Sequence, residues 1–163
     1  MRHIIVTIFI FLLLPTSLHA ATISVSTVSQ LETALATAEN NGEDDTINIS
    51  AGTYTLTTSL SYDTQKFGEQ QALILQGIGG EVVLDGNNLS RRILFIRTSN
   101  ADLAIRDIIL TNGYAPEGDN GAGLFINIGG GDLTLENCHI TNNFAGAFYY
   151  TNHGGGAYIT AGG

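Results

Sequence analysis

A short apolar motif recurs along this chain at a nearly fixed distance. The segment Leu103–Ile108 (LAIRDI) returns thirty residues later as Leu133–Cys138 (LTLENC). A second motif occurs three times, at offsets of thirty and then thirty-three residues, as Ile93–Ile96, Gly123–Ile126 and Gly156–Ile159. A period in the range of about 20–50 residues indicates a solenoid or a propeller, in which one supersecondary unit stacks on the next.

The direction of the repeated units selects among these architectures. Like segments recur in the same direction, so stacking them forms parallel ladders about 4.8 Å apart. Apolar and polar residues alternate along each segment, which implies that one face of each strand is buried. No helical pattern lies between the strands to cover a flat parallel sheet. The sequence therefore predicts an all-β fold, a right-handed parallel β-helix. The expected interior columns are Leu73/Leu103/Leu133, Leu75/Ile105/Leu135, Ile78/Ile108/Cys138 and Ile96/Ile126/Ile159.

The segment before the repeats has a different pattern. One amphipathic helix is predicted at about 27–39, where Thr27 and Gln30 offer a capping box. Its apolar face would consist of Val28, Leu31, Leu35 and Ala38. Short alternating strands follow, residues 61–72 show no period and are expected to form a projecting loop, and the repeats begin at about residue 73.

The first twenty residues read as a secretory signal peptide. A basic start is followed by an apolar run from Ile4 to Leu14 and by small residues at Ala20 and Ala21. The run is too short for a membrane span, which needs about 20 residues. We expect cleavage after Ala20 and a single β-helix domain from 21 to 163, with no membrane-spanning segment in it.

Composition limits the partners of the mature chain. Six basic residues, one of them Arg2 in the leader, face fifteen acidic ones. An acidic surface repels phosphate backbones, so nucleic acid is not an expected partner. One cysteine cannot form an internal disulfide, and stability must come from burial and backbone hydrogen bonds. The chain stops halfway through a unit, so we expect a fragment whose further coils and C-terminal anchor lie beyond Gly163.

Several segments carry a family resemblance. Residues 45–54 (DTINISAGTY), which follow the predicted helix, resemble the opening of extracellular proteins of the pectin-lyase-like β-helix superfamily. Residues 140–145 and 154–159 resemble the repeat of polymorphic outer-membrane and surface β-helix proteins, an F-x-x-N step followed by a G-G-A-I step. Asn143 matches the Asn of that step, whereas Gly113 takes its place one unit earlier. The resemblance covers nearly all of the mature chain and implies a helical cap over the open end of the coil.

Catalysis in such a coil would need particular charged groups. A polysaccharide lyase needs a Lys or Arg as base, and a glycosidase needs carboxyl groups about 5–9.5 Å apart. The cations of the mature chain are Lys66, Arg91, Arg92, Arg97 and Arg106. Arg106 is predicted to pair with Glu136 one coil later, and Asp102 with Asp132 reads as a corner feature. Asp44 and Asp45 lie in a turn before the first coil, so no catalytic residue is predicted.

The remaining polar candidates read as structural. His153 is interpreted as a loop residue, His139 as a surface position aligned with Ile109, and Cys138 as a small hydrophobic residue aligned with Ile108. An acidic loop could hold Ca²⁺, although a solvated turn is preferred and neither a cofactor nor a metal site is predicted. That loop contains Glu117, Asp119 and Asn120.

Aromatic residues supply the candidate ligand site. Phe148, Tyr149 and Tyr150 are predicted to form a partly exposed loop that contacts a ligand. The column Phe95/Phe125/Tyr158 is assigned to the core; if it faced outward, it would form a ladder suited to stacking on sugar rings.

These features lead to one functional hypothesis and two alternatives. The leading hypothesis is a secreted or cell-surface protein, extracellular or on the outer membrane, that acts as a non-catalytic adhesin-like scaffold. Its expected partner is a polysaccharide or a cell-surface glycan. One alternative is a polysaccharide lyase or glycoside hydrolase with its active site in downstream coils. The other is a purely structural envelope protein.

Overall fold

The computed structural model describes residues 20–68, 70–88, 92–116, 119–146 and 154–162. They form a parallel β-solenoid of about three turns, with one short helix near the N-terminus. The prediction of an all-β parallel β-helix is therefore confirmed. Apart from Ala20, the predicted signal peptide lies outside the described residues. No helix in the described ranges is long and apolar enough to cross a membrane.

The regular elements are short strands connected by tight corners. In chain order they are β1 (Ala21–Val25), α1 (Val28–Ala38), β2 (Asp45–Thr55), β3 (Leu60–Asp63), a 3-10 turn (Thr64–Lys66), β4 (Leu73–Asp85), β5 (Leu94–Thr98), β6 (Leu103–Arg106), β7 (Ile109–Thr111), β8 (Tyr114–Ala115), β9 (Leu124–Ile128), β10 (Leu133–Glu136), β11 (His139–Thr141), β12 (Phe144–Ala145) and β13 (Ala157–Ala161). All pairings between them are parallel.

Three sheets run along the solenoid. The first has the order β1-β2-β4-β6-β10, and β7 bridges β4 and β11 within it. The second has the order β3-β5-β9-β13, and the third is the pair β8 and β12. Since like strands of successive coils pair with each other, the apolar side chains of each coil meet in one continuous core.

The register forms three of the four predicted interior columns, but the last members of two of them, Leu135 and Ile159, are 38% and 42% exposed. The register places Leu103 between Leu73 and Leu133, and it aligns the second and fourth columns in the same way. The prediction for Ile78 is wrong, because that side chain is partly exposed. Val82 is fully buried in its place and lies one residue before the Val83–Ile109 pair. A longer arch at Gly79–Glu81 makes the corner in this coil, which shifts the inward position by four residues.

The prediction of a projecting loop over residues 61–72 is also wrong at its start. Leu60 and Tyr62 are fully buried in β3, where they pair with Leu94 and Ile96 of β5. The 3-10 turn Thr64–Lys66 follows directly. Two apolar positions are too few to produce a visible period, so this first rung of the second sheet escapes pattern recognition.

The helix α1 agrees with the prediction for 27–39. Thr27 is its N-cap, and the hydroxyl of Thr27 accepts a hydrogen bond from the backbone N–H of Gln30 at 3.2 Å. The Gln30 side chain accepts from the backbone N–H of Ser26 at 2.9 Å, one residue before the expected position. The buried side chains are Leu31, Ala34, Leu35 and Ala38. They pack on β1, β2 and β3, so the helix covers the first rung of the core.

Left-handed corners recur with the period of the repeat. Asp107 and Asn137 have φ of 57° and 51°, and the Asn137 amide donates to the Asp107 carboxylate at 3.0 Å. Asn112 and Asn142 have φ of 59° and 53°. Asp and Asn tolerate this region better than other residues with a side chain, because their short polar groups can form local hydrogen bonds.

The Asn143 side chain enters the corner of the preceding coil beside a glycine. The Asn143 side chain accepts from Gly113 N–H at 2.7 Å and donates to the Leu110 carbonyl at 3.0 Å. A Cβ on Gly113 would collide with the Ala122 carbonyl oxygen and would lie 2.8 Å from the Asn143 side-chain oxygen. The corner therefore requires glycine at position 113, chiefly because of the Ala122 backbone.

Candidate functional site

The predicted ligand residues Phe148, Tyr149 and Tyr150 lie outside the described residues, and so do His153, Arg91 and Glu117. The candidate site must therefore be built from the described outer surface. That surface contains a different aromatic cluster on the second sheet, one that the sequence pattern had placed in the core.

The column Phe95/Phe125/Tyr158 faces outward, so its assignment to the core is wrong. The three residues occupy equivalent positions in β5, β9 and β13, and each is half-buried. Their neighbours Leu94 and Ile96 are fully buried and fill the interior. Successive side chains of a strand point to opposite faces, so the middle residue of the Leu-Phe-Ile triplet must point out. We call this set the aromatic column.

The rings of the aromatic column stack on one another along the solenoid. Phe95 and Phe125 have centroids 5.1 Å apart and planes inclined by 17°. Phe125 and Tyr158 follow at 5.5 Å and 22°. Carbon atoms in contact are about 3.5–4.0 Å apart, so these separations correspond to rings displaced sideways, in the offset arrangement that aromatic pairs prefer. Each ring therefore leaves part of one face uncovered by its neighbour.

Two arginines flank the aromatic column. The Arg92 guanidinium lies 4.7 Å from the Phe125 centroid and 5.4 Å from that of Phe95, within cation–π range of both. It also contacts the Asp119 carboxylate at 2.8 Å. Arg97 lies 5.8 Å from the Phe95 centroid. The Arg92 guanidinium is thus the planar group that lies over the rings of Phe95 and Phe125 in this structure.

The aromatic column ends at a shallow depression. In β3 the position equivalent to Phe95 is Ser61, so the aromatic column does not continue into β3. The depression has a volume of about 260 Å³ and is lined by Ser59, Ser61, Arg92, Phe95 and Asp119. We call it the Ser61 depression. It combines one aromatic wall with two hydroxyl groups, a guanidinium and a carboxylate.

A buried carboxylate anchors the cations beside this face. Asp63 is only 2% exposed, and both its oxygens accept from Arg97, at 3.1 and 2.6 Å. The Lys66 amine lies 3.6 Å from the same carboxylate, and the Asp63 backbone N–H donates to Glu39 at 2.8 Å. Burial alone would raise the pKa of Asp63, but the hydrogen bonds and charge of Arg97, with help from Lys66, hold that pKa below its ordinary value.

Two of the cations considered as catalytic bases are therefore already paired. Arg97 and Lys66 both neutralise Asp63, and the hydrogen bond to Asp63 raises the pKa of Arg97. A third cation, Arg106, lies 3.3 Å from Glu136, which confirms the predicted ion pair across coils. Arg97 is held in its charged form by Asp63, so it is not poised to accept a proton from a substrate.

The carboxylates considered for glycosidase chemistry accept hydrogen bonds from neighbouring backbone or side-chain groups of the coil. Asp102 accepts a hydrogen bond from the backbone N–H of Asp132 at 2.8 Å, as expected for a corner feature. Asp44 accepts from the N–H of Ala72 at 2.8 Å, and Asp45 accepts from the Asn41 amide at 3.0 Å. These contacts connect neighbouring rungs or close a turn.

The remaining titratable candidates do not assemble into a centre. His139 is exposed and pairs with Ile109 in register, as predicted. Cys138 is partly buried against the core, its Sγ lies 3.3 Å from the Ile105 carbonyl oxygen, and burial raises the pKa of its thiol. Among the described residues, no three His, Cys, Asp or Glu side chains converge as metal ligands.

A second aromatic pair lies away from the aromatic column. Tyr114 and Phe144 stack at a centroid distance of 5.6 Å and an angle of 25° on the third sheet. Their thirty-residue offset in the sequence was an available signal. Ser61 could have been found in the same way, from the alignment of Leu60 and Tyr62 with Leu94 and Ile96.

Comparison with other proteins assigns no family to this chain. No family model matches it, and no curated protein or solved structure matches it. The function must therefore be inferred from the outer face itself.

Proposed function

We propose that this protein is a secreted or cell-surface β-helix that binds a glycan on its outer aromatic face and acts as a binding or display scaffold. The observation that carries the proposal is the outward aromatic column. Three rings on successive coils form one strip, with a polar depression at its Phe95 end. Pyranose rings present C–H faces that pack on aromatic rings and hydroxyl groups that need hydrogen-bond partners. The strip offers both.

The scaffold suits an extended polymer. Rungs repeat about every 4.8 Å, which is close to the advance of one sugar in an extended chain. The aromatic side chains are fixed by stacking and by parallel backbone pairing, so little side-chain entropy remains to be lost on binding. A repeated, rigid row of contacts is typical of solenoid binding surfaces.

Location and family form part of the same proposal. The leader-like first twenty residues support export, and the acidic composition disfavours nucleic acid. The resemblance of residues 45–54 to the pectin-lyase-like superfamily, and of later units to polymorphic surface β-helix proteins, supports a place at the cell exterior. The paired state of Lys66, Arg97 and Arg106 favours binding over proton abstraction.

The proposal is tested by glycan-array binding followed by calorimetric titration of the best ligand. We expect Phe125→Ala to lower the affinity at least about tenfold, since it removes the central ring of the column. Tyr114→Ala removes a stacked ring from the other aromatic pair and should leave the affinity within about twofold. Thermal melts of both variants check that the coil remains folded.

Three results would contradict the proposal. One is equal loss of binding in the two variants, which would indicate a general effect of stability. Another is a wild-type protein that binds no glycan, which would favour a purely structural envelope protein. The third is release of unsaturated uronates from pectin or alginate, which would show an enzyme of the lyase class instead. Replacing Phe148, Tyr149 and Tyr150 by Ala in a further variant measures what that segment contributes.

A further inference from the structure

We infer that the Ser61 depression is a subsite for one neutral hexopyranose ring, and that Asp119 makes it select against acidic sugars. This inference rests on the proposed function and adds a ligand class to it. The observation that supports it is the ion pair between Arg92 and Asp119, in which the Asp119 carboxylate already neutralises the Arg92 charge.

The size of the depression fits a single ring. Ser61 takes the place that an aromatic side chain holds in each of the next three coils, so one ring position of the aromatic column is vacant. The volume of about 260 Å³ is just below the range of about 300–1,000 Å³ for drug-sized ligands. The exposed part of Phe95 forms its apolar wall, against which the C–H face of a sugar can pack.

The polar groups match hydroxyls. The hydroxyls of Ser59 and Ser61 can each donate and accept, which is what a sugar hydroxyl requires. Arg92 supplies further donors and Asp119 supplies acceptors, and their contact at 2.8 Å holds the two groups side by side. A donor and an acceptor held next to each other can bind two neighbouring hydroxyls of one ring.

The charge arrangement disfavours acidic sugars. The Arg92 side chain is 16% exposed and already has Asp119 as its counter-ion, whereas Asp119 is 51% exposed and lines the depression. A uronate in the depression would bring a second negative charge beside Asp119, which raises the energy of the bound state. A neutral ring avoids this penalty.

The test uses matched pairs of hexasaccharides that differ only in oxidation at C6. One pair is β-1,4-linked glucose and glucuronic acid, and the other is α-1,4-linked galactose and galacturonic acid. Calorimetric titration at low salt should show the wild-type protein preferring the neutral member at least about tenfold. Raising the salt concentration should narrow the preference, because it screens the repulsion.

Two carboxylate variants distinguish the effect of the charge in the Ser61 depression from the effect of the net charge of the protein. Asp119→Asn should raise the affinity for the acidic member about fivefold and lower it for the neutral member about threefold. Asp132→Asn makes the same change in net charge on the first sheet, where Asp132 is exposed at a corner, and should leave the preference unchanged. Ser61→Ala should weaken binding of the neutral member about twofold to threefold.

The outcomes distinguish this inference from the proposed function. If Phe125→Ala abolishes binding but Asp119→Asn leaves the preference unaltered, the subsite assignment is wrong and glycan binding stands. The subsite assignment also fails if the wild-type protein prefers the acidic member of the pair it binds. It fails as well if the protein binds other glycans on the array but neither of the two pairs. In both cases glycan binding itself stands. If it binds no glycan at all, both fail.

Discussion

Replacing Arg97 by Met should destabilise the coil far more than the same change at Arg106. Both arginines pair with a carboxylate, and Met retains most of the aliphatic stem in each case. Asp63 is 2% exposed and accepts both hydrogen bonds of Arg97, whereas the Arg106–Glu136 pair is 36% and 57% exposed with a separation of 3.3 Å. Loss of Arg97 therefore leaves a buried carboxylate whose remaining ion-pair partner, among the described residues, is Lys66.

The size of the effect follows from this geometry. Removing one partner of a fully buried pair costs about 3–5 kcal/mol, but Arg97 is itself 38% exposed, and solvent screening reduces that figure. We expect a loss of about 2 kcal/mol at pH 7, close to the range for hydrogen bonds to charged groups. For a domain of this size the melting temperature should fall by about 6 °C. Arg106→Met should cost less than about 1 kcal/mol.

The pH dependence has a defined sign. Because the pKa of Asp63 is lowered below 3.8 in the folded protein, the ion pair contributes fully above that value. Its contribution is lost as the pH falls through the folded pKa, where the carboxylate becomes protonated. In Arg97→Met, burial raises the pKa of Asp63, and acidification neutralises the poorly compensated charge. The gap between wild type and variant should therefore shrink on acidification.

Urea denaturation at a series of pH values from 7 to 3, followed by circular dichroism, measures this gap directly. Equal losses for Arg97→Met and Arg106→Met would refute the reasoning, since they would mean that burial of Asp63 adds nothing. A gap that stays constant or widens below pH 4 would refute it as well.

Three further outcomes are expected. Gly77→Ala should destabilise the coil by about 1–3 kcal/mol in urea denaturation, because the added Cβ would collide with the Asp107 carbonyl. The control Gly156→Ala should cost much less, because a Cβ there has no contact closer than 3.5 Å. Thr27→Ala should lower stability by about 1 kcal/mol and Thr27→Ser by far less, since only Ala removes the N-cap; equal losses would exclude the cap. The Cys138 thiol should react slowly with a disulfide reagent at pH 8 and rapidly in denaturant, and rapid native reaction would contradict its burial.

The coil itself could be predicted from sequence because its evidence is periodic. Leu103 and Leu133 stand thirty residues apart, and the structure pairs them directly. The helix was readable for a similar reason, since Thr27 and the apolar residues that follow fit a capped amphipathic pattern. Each of these signals repeats or extends over several residues, so no single side chain decides the outcome.

The site could not be predicted because it depends on direction and on distant pairs. In Leu94-Phe95-Ile96 all three residues are apolar, so the sequence does not say which one faces out; the structure buries the two aliphatic chains. Asp63 and Arg97 are thirty-four residues apart and lie on different rungs, and their contact needs the register of β3 with β5. That register was hidden because β3 has only four residues.

The most direct test of the parallel, in-register coil is a distance between spin labels on its outer surface. Thr22 and Thr134 are exposed positions of one outward column on the first sheet, four rungs apart. Four steps of about 4.8 Å place the β-carbons of these two positions roughly 19 Å apart. With Cys138 replaced by Ala and spin-labelled cysteines at the two positions, pulsed EPR should give one label-to-label distance distribution with its maximum within about 10 Å of that value. A broad distribution, or a maximum more than about 10 Å away, would contradict the stacking on which the aromatic column depends.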